Sequence, residues 1–353
     1  MWKSLKDRAE GVKEMKRMKT TEAVGQVLCH DITQIIPGVT KDAVFRKGHI
    51  IREEDIPVLL SVGKDSVYIW ENDETMMHEN DAAEVLYRMT ANEHMHPSDV
   101  KEGKIEAIAD TEGLLKVDRE KLKKVNAFGE MMIATRHGNT VVKKGDKLAG
   151  TRIIPLVIKK DKMQEAEKIC DGTPILKILP FTVKKAAIIT TGNEVYHGRI
   201  KDAFTPVIEQ KIAEFGAEMM FHEIFDDNDR KITDGCLRAI EAGADIIFCT
   251  GGMSVDPDDK TPLAIKNTGA RIVSYGSPVL PGAMFLLSYY RKGDKVIPIC
   301  GLPGCAMYNR RTVFDLVLPR LMAADPVTAD ELASLGEGGL CLNCKVCTFP
   351  NCG

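Results

Sequence analysis

The stretch Phe248 to Pro262, FCTGGMSVDPDDKTP, constrains this chain more than any other. The run leading into it, Asp245-Ile246-Ile247-Phe248-Cys249, has the length and β-branched content of a strand buried on both faces. Gly251 and Gly252 then free the backbone for positive φ, so that N–H groups point at an anion with no Cβ in the way. Asp256, Asp258 and Asp259 follow, and Thr261-Pro262 reads as an N-cap with proline at the first helical position. This order suits a bound phosphate and a metal ion. The plainer reading is a strand–turn–helix connection with solvated aspartates.

Similar elements recur on either side. Ala186 to Thr190 is a short apolar strand closed by Thr191-Gly192-Asn193-Glu194-Val195, and Asp202 to Phe215 carries apolar residues near a helical period, with Gly216 at the C-cap position. Glu218 to Ile224 reads as a strand, followed by Asp226, Asp227 and Asp229 in a loop and by a helix over Ile232 to Ala242. Val296 to Cys300 is a further strand ending in Gly301-Leu302-Pro303-Gly304, with a helix expected from Cys305 to Met322. Alternating strands and helices predict an α/β fold with a mostly parallel, doubly wound sheet, and ligands of such sheets sit outside the carboxyl ends of the strands. Three glycine loops are thereby expected on one rim.

These residues resemble the molybdopterin-binding domain of molybdopterin molybdotransferases and adenylyltransferases over residues 180 to 322. Ile189 to Val195 (ITTGNEV) is similar to the family's first-strand loop, GADIIFCTGGMSVDPDDKTP to its glycine-rich signature, and Val279 to Met284 (VLPGAM) with ICGLPGCAMY to its two later Pro-Gly loops. The resemblance implies that molybdopterin, or its adenylate, lies along the rim. It implies cofactor contacts from Thr191, Gly192, Asn193, Glu194, Gly251, Gly252, Ser254, Asp259, Pro281, Gly282, Pro303 and Gly304. Asp259 matches the family's acidic position, and Asp226 or Asp227 matches the one after the preceding strand, with Asp229 also open. Asp227 and Asp259 are the catalytic candidates, and Asp226, Asp227 and Asp259 the Mg²⁺ candidates. The chain departs from the family at Cys305-Ala306, where Asn-Pro is common, and at Asp256-Pro257, which replaces a glycine.

The residues alone agree with that chemistry. Separated carboxylates beside a phosphate-binding turn suit Mg²⁺, which takes few protein ligands and keeps water and substrate phosphate in its shell. Such an ion neutralises charge as a phosphoanhydride breaks and orients an attacking oxyanion such as molybdate. No nucleophilic serine or cysteine is required.

Composition bounds the alternatives. With 353 residues, 44% of them hydrophobic, the chain can bury a sizeable core and split into several domains. A net charge of −3 gives no general attraction to nucleic acid or anionic lipid. No apolar run approaches the roughly 20 residues that span a bilayer, and the basic start, MWKSLKDRAEGVKEMKRMKT, lacks the apolar segment of a signal peptide. A short helix or frayed terminus is expected there, in a cytoplasmic protein.

Nine of the ten cysteines divide into two groups, and the tenth, Cys305, reads as a small filler at a helix start or a residue lining the pocket. Cys29, Cys170, Cys236, Cys249 and Cys300 sit in apolar contexts and read as free buried thiols of a reducing compartment. Cys341, Cys344, Cys347 and Cys352 place four thiols within a dozen residues after Gly336-Glu337-Gly338-Gly339. The spacing C-x2-C-x2-C-x4-C is one residue longer than a bacterial ferredoxin run. Four soft thiolates there suit an iron–sulfur cluster or Zn²⁺, bound independently of the rim, against a redox-active or unstructured thiol tail.

In the first half, Val24 to Ile32 and Lys47 to Ile51 read as strands, Glu53 to Val62 as a helix ended by Gly63, and Asp65 to Trp70 as a strand. This region resembles, more loosely, the N-terminal accessory domain of molybdotransferases. Ala82 to Ala91 and Arg119 to Ala127 read as helices, Ile105 to Val117 as a hairpin turning at Thr111-Glu112-Gly113, and Met131 to Thr135 and Thr140 to Val142 as strands. The expected division is an accessory region over residues 1–80, an α+β insertion over 81–179, the molybdopterin-binding domain over 180–325, and a glycine hinge with cysteine tail over 326–353.

Two functions of different class follow from the resemblance. One is an enzyme that binds molybdopterin or its adenylate and assists molybdate insertion. The other is a non-catalytic carrier or sensor of the finished cofactor that docks to a molybdoenzyme, or to an assembly partner, through the cysteine tail. A homo-oligomer is compatible with either, and a nucleotide pyrophosphatase is a third reading.

Overall fold

The computed structural model describes residues 16–36, 40–69 and 74–350. The expectations for the basic start before Lys16, for Trp70 and for Cys352 lie outside the described residues. The chain forms two compact units, each built from separate stretches: residues up to 108, 118–136 and 147–176 in one, and residues 109–117, 137–146 and 177–353 in the other.

The second unit is organised by one six-stranded sheet. Its strands are β1 (Lys185–Thr191), β2 (Glu218–Phe225), β3 (Ile246–Thr250), β4 (Arg271–Tyr275), β5 (Leu286–Lys292) and β6 (Lys295–Leu302), in the spatial order β2-β1-β3-β6-β5-β4. The first four in that order run parallel, and the β5 and β4 edge is antiparallel. Helices accompany the strands: α1 (Asn193–Tyr196) and α2 (Phe204–Ala213) after β1, α3 (Asp229–Glu241) after β2, α4 (Thr261–Asn267) after β3, then α5 (Val313–Met322) and α6 (Ala329–Ser334) after β6.

Alternation along the strands divides the core into two layers. Ala186 and Ile188 of β1, Phe248 of β3 and Leu302 of β6 pack with Ile208 and Ile212 of α2 and Phe314, Val317 and Leu321 of α5. The intervening Ala187, Ile189, Ile247 and Cys249 pack on the other face with Ile232, Cys236 and Ile240 of α3 and Ala264 and Ile265 of α4. Continuous apolar strands are what burial on both faces demands, and the doubly wound, mostly parallel sheet expected from the sequence is present. Phe248 is wholly buried, edge-on to Phe314 at 5.3 Å between ring centroids, a position whose truncation typically costs about 3–5 kcal/mol. Lys211 of α2 is ion-paired with the nearly buried Asp315 of α5, which holds these two helices on the same face.

Several expected elements differ. The helix expected from Cys305 begins only at Val313; residues Gly304–Met307 form a 3₁₀ turn instead. Thr312 and Asp315 form a capping box that starts the helix there. Thr261 is the first helical residue rather than the cap, and its hydroxyl is engaged elsewhere. The hairpin expected over Ile105 to Val117 does not form, although both strands do. Ile105–Ala109 pairs with Lys147–Ile153 in a four-stranded sheet of the first unit, while Gly113–Val117 pairs with Thr140–Val142 in a three-stranded sheet of the second. A Cβ on Gly113 would stand 2.5 Å from the Leu179 carbonyl oxygen. Gly113 therefore serves the close approach of a neighbouring strand rather than a turn.

In the first unit, the helices over Glu79–Thr90, Arg119–Asn126 and Lys160–Cys170 accompany the four-stranded sheet. A separate small core joins Ala23, Leu28, Ile32, Ile51, Leu59, Val67 and Ile69. The expected strand over Val24 to Ile32 is reduced to isolated bridges, Val27 with Ile50 and Leu28 with Ile69. Gly25 and Gly48 interrupt the two segments at φ 82° and 86°, and the regular pair is Ile32–Ile36 with Thr40–Phe45. Glu53–Asp55 and Ile56–Ser61 form the expected helical segment, closed by Gly63 at φ 76°.

Candidate functional site

The strand registers set the rim. Thr190, Thr250 and Leu302 stand in one row across β1, β3 and β6, and Thr191 is level with Phe225 of β2. The segments beginning at Gly192, Asp226, Gly251 and Pro303 therefore leave neighbouring strands at one level, which is the ligand-binding edge of a doubly wound sheet.

The turn after β3 is built against β1. Gly251 and Gly252 have φ 81° and 53°. A Cβ on Gly251 would lie 2.1 Å from the Thr191 carbonyl oxygen, and one on Gly252 would lie 2.8 Å from Thr261 Oγ1. The Thr191 hydroxyl donates to the Thr250 carbonyl at 3.1 Å and meets the Thr261 hydroxyl at 3.0 Å, so Thr261 donates to it. Thr261 N–H donates to the Gly252 carbonyl at 3.2 Å, closing the turn. From the far edge of the sheet, the Tyr275 hydroxyl donates to the Met253 carbonyl at 2.9 Å. Buried Met253 fits because Gly301 has no side chain: a Cβ there would stand 2.5 Å from its sulfur.

The loops after β1 and β2 are joined by the Asn193 N–H, which donates to Asp227 Oδ2 at 3.1 Å. Glu194 folds back over Gly192, whose φ is 133°. Asp226 Oδ2 accepts from Lys231 Nζ at 2.8 Å, while its Oδ1 is buried without a partner. Asn228 caps α3. Burial pushes the Asp227 carboxyl above its ordinary range, the Asn193 N–H opposes that, and the charges of Glu194, Asp259 and Asp258 add to the rise. Burial, together with Asp259, also raises Tyr275. Asp227, expected on one rim with Asp259, thus feels the charge of Asp259 and also those of Glu194 and Asp258. Thr250 Oγ1 is a second buried, unpartnered oxygen at this edge.

The Pro281-Gly282 loop meets the start of α5, where Val313 N–H donates to the Pro281 carbonyl at 3.3 Å and a Cβ on Gly282 would strike Val313. Pro303 precedes the 3₁₀ turn, and a Cβ on Gly304 would meet nothing within 4 Å. The Ser254 side chain is exposed. Cys305 is half-buried, and burial raises its thiol. Cys341, Cys344 and Cys347 line one cavity with Tyr308, Asn309, Arg310, Arg311 and Asn343. Among the described residues no three His, Cys, Asp or Glu side chains are gathered closely enough to hold an ion.

Two features were missed in the sequence. Tyr275 lies on β4, a strand read as no element, although the β-branched Ile272-Val273 pair with Tyr275 is a strand signal. Beneath the rim, Asp202 accepts from the Thr190 hydroxyl at 2.9 Å and from Thr205, and His222 Nε2 lies 3.4 Å from it. Burial would raise Asp202, but the hydrogen bonds from Thr205, Thr190 and Phe204 hold it below the usual range. This cluster braces the end of β1.

A mostly parallel sheet with helices on both faces, and with glycine turns and carboxylates along its carboxyl edge, defines a doubly wound α/β domain. Residues 187–323 match the sequence model of a family described as "Probable molybdopterin binding domain", and that stretch of the chain is a domain of this family. Residues 17–71 match a domain of unknown function.

Among curated proteins, the chain is similar to the "Putative competence-damage inducible protein" of Bacillus subtilis, 33% identical over 88 residues, which is 25% of this chain and 21% of that one. The Clostridium kluyveri protein of the same name is 26% identical over 156 residues, 38% of this chain and 37% of that one. The chain thus spans between 21% and 37% of the length of these relatives. Among solved structures it is similar to the tungsten cofactor synthesizing protein MoaB from Pyrococcus furiosus, with TM-score 0.32 and 19% identity over 40% of this chain and 89% of that one. A molybdenum cofactor biosynthesis protein from the same organism aligns over 90% of this chain and 66% of its own, with TM-score 0.26 and 11% identity.

Proposed function

We propose that the second unit binds molybdopterin or its adenylate along the rim and assists molybdate insertion in molybdenum cofactor assembly. The observation that carries this reading is the Gly251-Gly252 turn, at φ 81° and 53°, on the same strand edge as Asp227, whose carboxylate is held by the Asn193 N–H. Carboxylates that feel one another's charge repel, and a divalent cation relieves that repulsion. The unpartnered Asp226 Oδ1 and Thr250 Oγ1 further fit an edge that lacks one polar group.

In this reading Asp227 and Asp259 hold Mg²⁺, with Asp226 able to supply Oδ1 while Lys231 keeps its other oxygen. Magnesium, when bound, neutralises phosphate charge and orients an attacking oxyanion. The N–H groups of the Gly251-Gly252 turn and the side chains of Asn193, Glu194 and Ser254 receive phosphate or pterin groups, and Pro281, Gly282, Pro303 and Gly304 line the other side, whereas Thr191, expected as a contact, is buried and spends its hydroxyl on closing the turn. Asp227 is positioned by the Asn193 N–H, and Tyr275 fixes the turn through the Met253 carbonyl.

The free, buried Cys29, Cys170, Cys236, Cys249 and Cys300 support a reducing, cytoplasmic setting, and no helix among the described residues is long and apolar enough to cross a membrane. The carrier reading is the second one, and the start of the cysteine tail, hydrogen-bonded to Leu280 through the Gly339 carbonyl and the Cys341 N–H, is the segment it would use to dock. Anaerobic expression in a cofactor-producing host, followed by mass spectrometry of the co-purified ligand, tests the proposal. Molybdopterin or its adenylate is expected, and a nucleotide lacking the pterin would overturn it.

A further inference from the structure

The four-stranded sheet of the first unit buries one of its faces. Ile105, Ala107, Ile133, Thr151 and Ile153 are on the buried side, and the alternate residues Glu106, Gly150, Arg152, Met132 and Ala134 stand on the other. On that second face the strands Ile105–Ala109, Lys147–Ile153 and Met131–Thr135 shape a trough of about 380 Å³, all of it within the first unit.

The floor of the trough is small where the fold does not ask for it. Gly150 lies opposite Glu106 on one side and Ala134 on the other. Its φ is outside the left-handed region, and a Cβ there would meet only Lys104 Cε, at an ordinary 3.5 Å. The bulge of this strand falls between Lys147 and Ala149, short of Gly150. A glycine inside a strand weakens it, and one that serves neither a bulge nor a crowded backbone leaves room for a ligand to approach the sheet closely.

The walls are cationic. Lys104, Lys147, Arg136 and Arg152 border the trough against a single carboxylate, Glu106. Glu106 accepts from Lys104 Nζ and from Lys147 Nζ at 2.6 Å each, which draws both ammonium groups to one side of the floor. Arg136 N–H donates to the Leu148 carbonyl at 2.8 Å, so Arg136 stands at one end, and Arg152, paired with Met132, stands at the other. The trough thus carries an excess of positive charge in a chain whose net charge is −3.

These features select among anionic occupants. A peptide laid across a sheet face would find no ladder for its backbone groups. Single-stranded nucleic acid stacks on aromatic side chains, and none among the described residues lines the trough. A small anion needs neither, and the volume falls within the roughly 300–1,000 Å³ of small-molecule sites. Arginine forks and lysine ammonium groups together suit phosphate, while Leu148, Gly150 and Ala134 offer a flat apolar floor.

We propose that this trough binds an organic polyphosphate of nucleotide size, its flat body on Gly150 and Ala134 and its phosphates held by Lys104, Lys147, Arg136 and Arg152. Glu106 positions the two lysines. The site lies in a different unit from the carboxylate rim and stands whether or not the rim binds a pterin.

The full chain is titrated by calorimetry with ATP and with tripolyphosphate, in EDTA so that no divalent ion serves the rim. ATP is expected to bind at one site per chain, more tightly than tripolyphosphate, and to slow hydrogen exchange at residues 147–152. Gly150→Leu fills the floor without backbone strain and is expected to lower ATP affinity at least about tenfold with an unchanged circular dichroism spectrum. Arg152→Gln, which leaves the floor as it is, is expected to lose about tenfold through one charge-assisted hydrogen bond. No ATP binding, or wild-type affinity in both variants, overturns the site. Exchange that slows at residues 251–254 instead would put the nucleotide on the rim and overturn it as well. Tripolyphosphate binding as tightly as ATP overturns the role of the floor.

Discussion

Three glycines on the rim separate what the fold requires from what a ligand requires. At Gly251, φ is 81° and a Cβ would lie 2.1 Å from the Thr191 carbonyl oxygen. An alanine there costs about 1–2 kcal/mol from the left-handed backbone alone, and the overlap with main chain forces the β1 and β3 loops apart, adding to that loss. At Gly252, φ is 53° and the obstacles are Thr261 Oγ1 at 2.8 Å and Thr191 Oγ1 at 3.2 Å. Relieving them breaks the hydroxyl pair that closes the turn, so Gly252→Val reports on folding as well as binding. Gly304 is the clean position. A Cβ there meets open space, and valine is expected to change stability by no more than about 0.5 kcal/mol, as at other unconstrained surface sites.

If the rim receives the pterin ligand, the same side chain occupies ligand space. Gly304→Val is expected to lower molybdopterin affinity at least tenfold, or about 1.4 kcal/mol. Anaerobic calorimetry with molybdopterin measures the affinity and urea denaturation the stability. Gly251→Ala is expected to lose stability first and affinity with it. A Gly304→Val protein that is as stable as the wild type and binds molybdopterin equally well would refute the assignment of the β6 loop to the site.

Asp227→Asn and Asp259→Asn are each expected to remove Mg²⁺-dependent turnover of molybdopterin-adenylate while circular dichroism shows the fold intact; full turnover in both would end the catalytic assignment, though not the carrier reading. Because the Asp227 pKa is raised in the folded state, its contribution to stability is fully present below its ordinary pKa of about 3.9 and is lost as pH rises through the folded value. Without Mg²⁺, Asp227→Asn should gain stability relative to the wild type as pH rises from about 4 to 7, and saturating Mg²⁺ should reverse the order; a difference that does not vary with pH would show that Asp227 is not so strained. Lys211→Met leaves the nearly buried Asp315 with only the exposed Arg311 as an ion-pair partner, beside its capping-box hydrogen bond from Thr312, and a loss of up to about 3–5 kcal/mol in urea denaturation is expected. A change under 1 kcal/mol would mean that Arg311 alone satisfies the carboxylate.

How much of this was legible in the sequence varies with the source of each constraint. The strands β1, β3 and β6 could be read because burial on both faces leaves continuous apolar runs, and their glycine loops because backbone conformation at Gly251 and Gly252 restricts residue type. The positions of Asp227 and Asp259 on one rim followed from the topology of parallel strands. Their mutual repulsion did not, since it depends on distance across two loops. Pairing was illegible for the same reason: Ile105–Ala109 and Gly113–Val117 look like one hairpin locally, and only the carbonyl of Leu179 shows what Gly113 is for. Tyr275 acts through its hydroxyl from an edge strand that sequence reading passed over, and nothing in its local pattern points to Met253.

The cysteine tail shows where such reading stops. Its spacing gives the chemistry of the ligands, and the glycines beside it suggest a hinge, because glycine permits both mobility and close packing. The two uses are distinguished only by what a Cβ would meet. At Gly339 it would meet two carbonyl oxygens, so the residue buys proximity rather than freedom. Once the tail is pinned at Leu280, its thiols share a cavity with Arg310 and Arg311, residues that follow the Cys305-Ala306 departure in the last Pro-Gly loop. The same short stretch of chain leads from Gly304, open to the rim, to the arginines beneath the thiols.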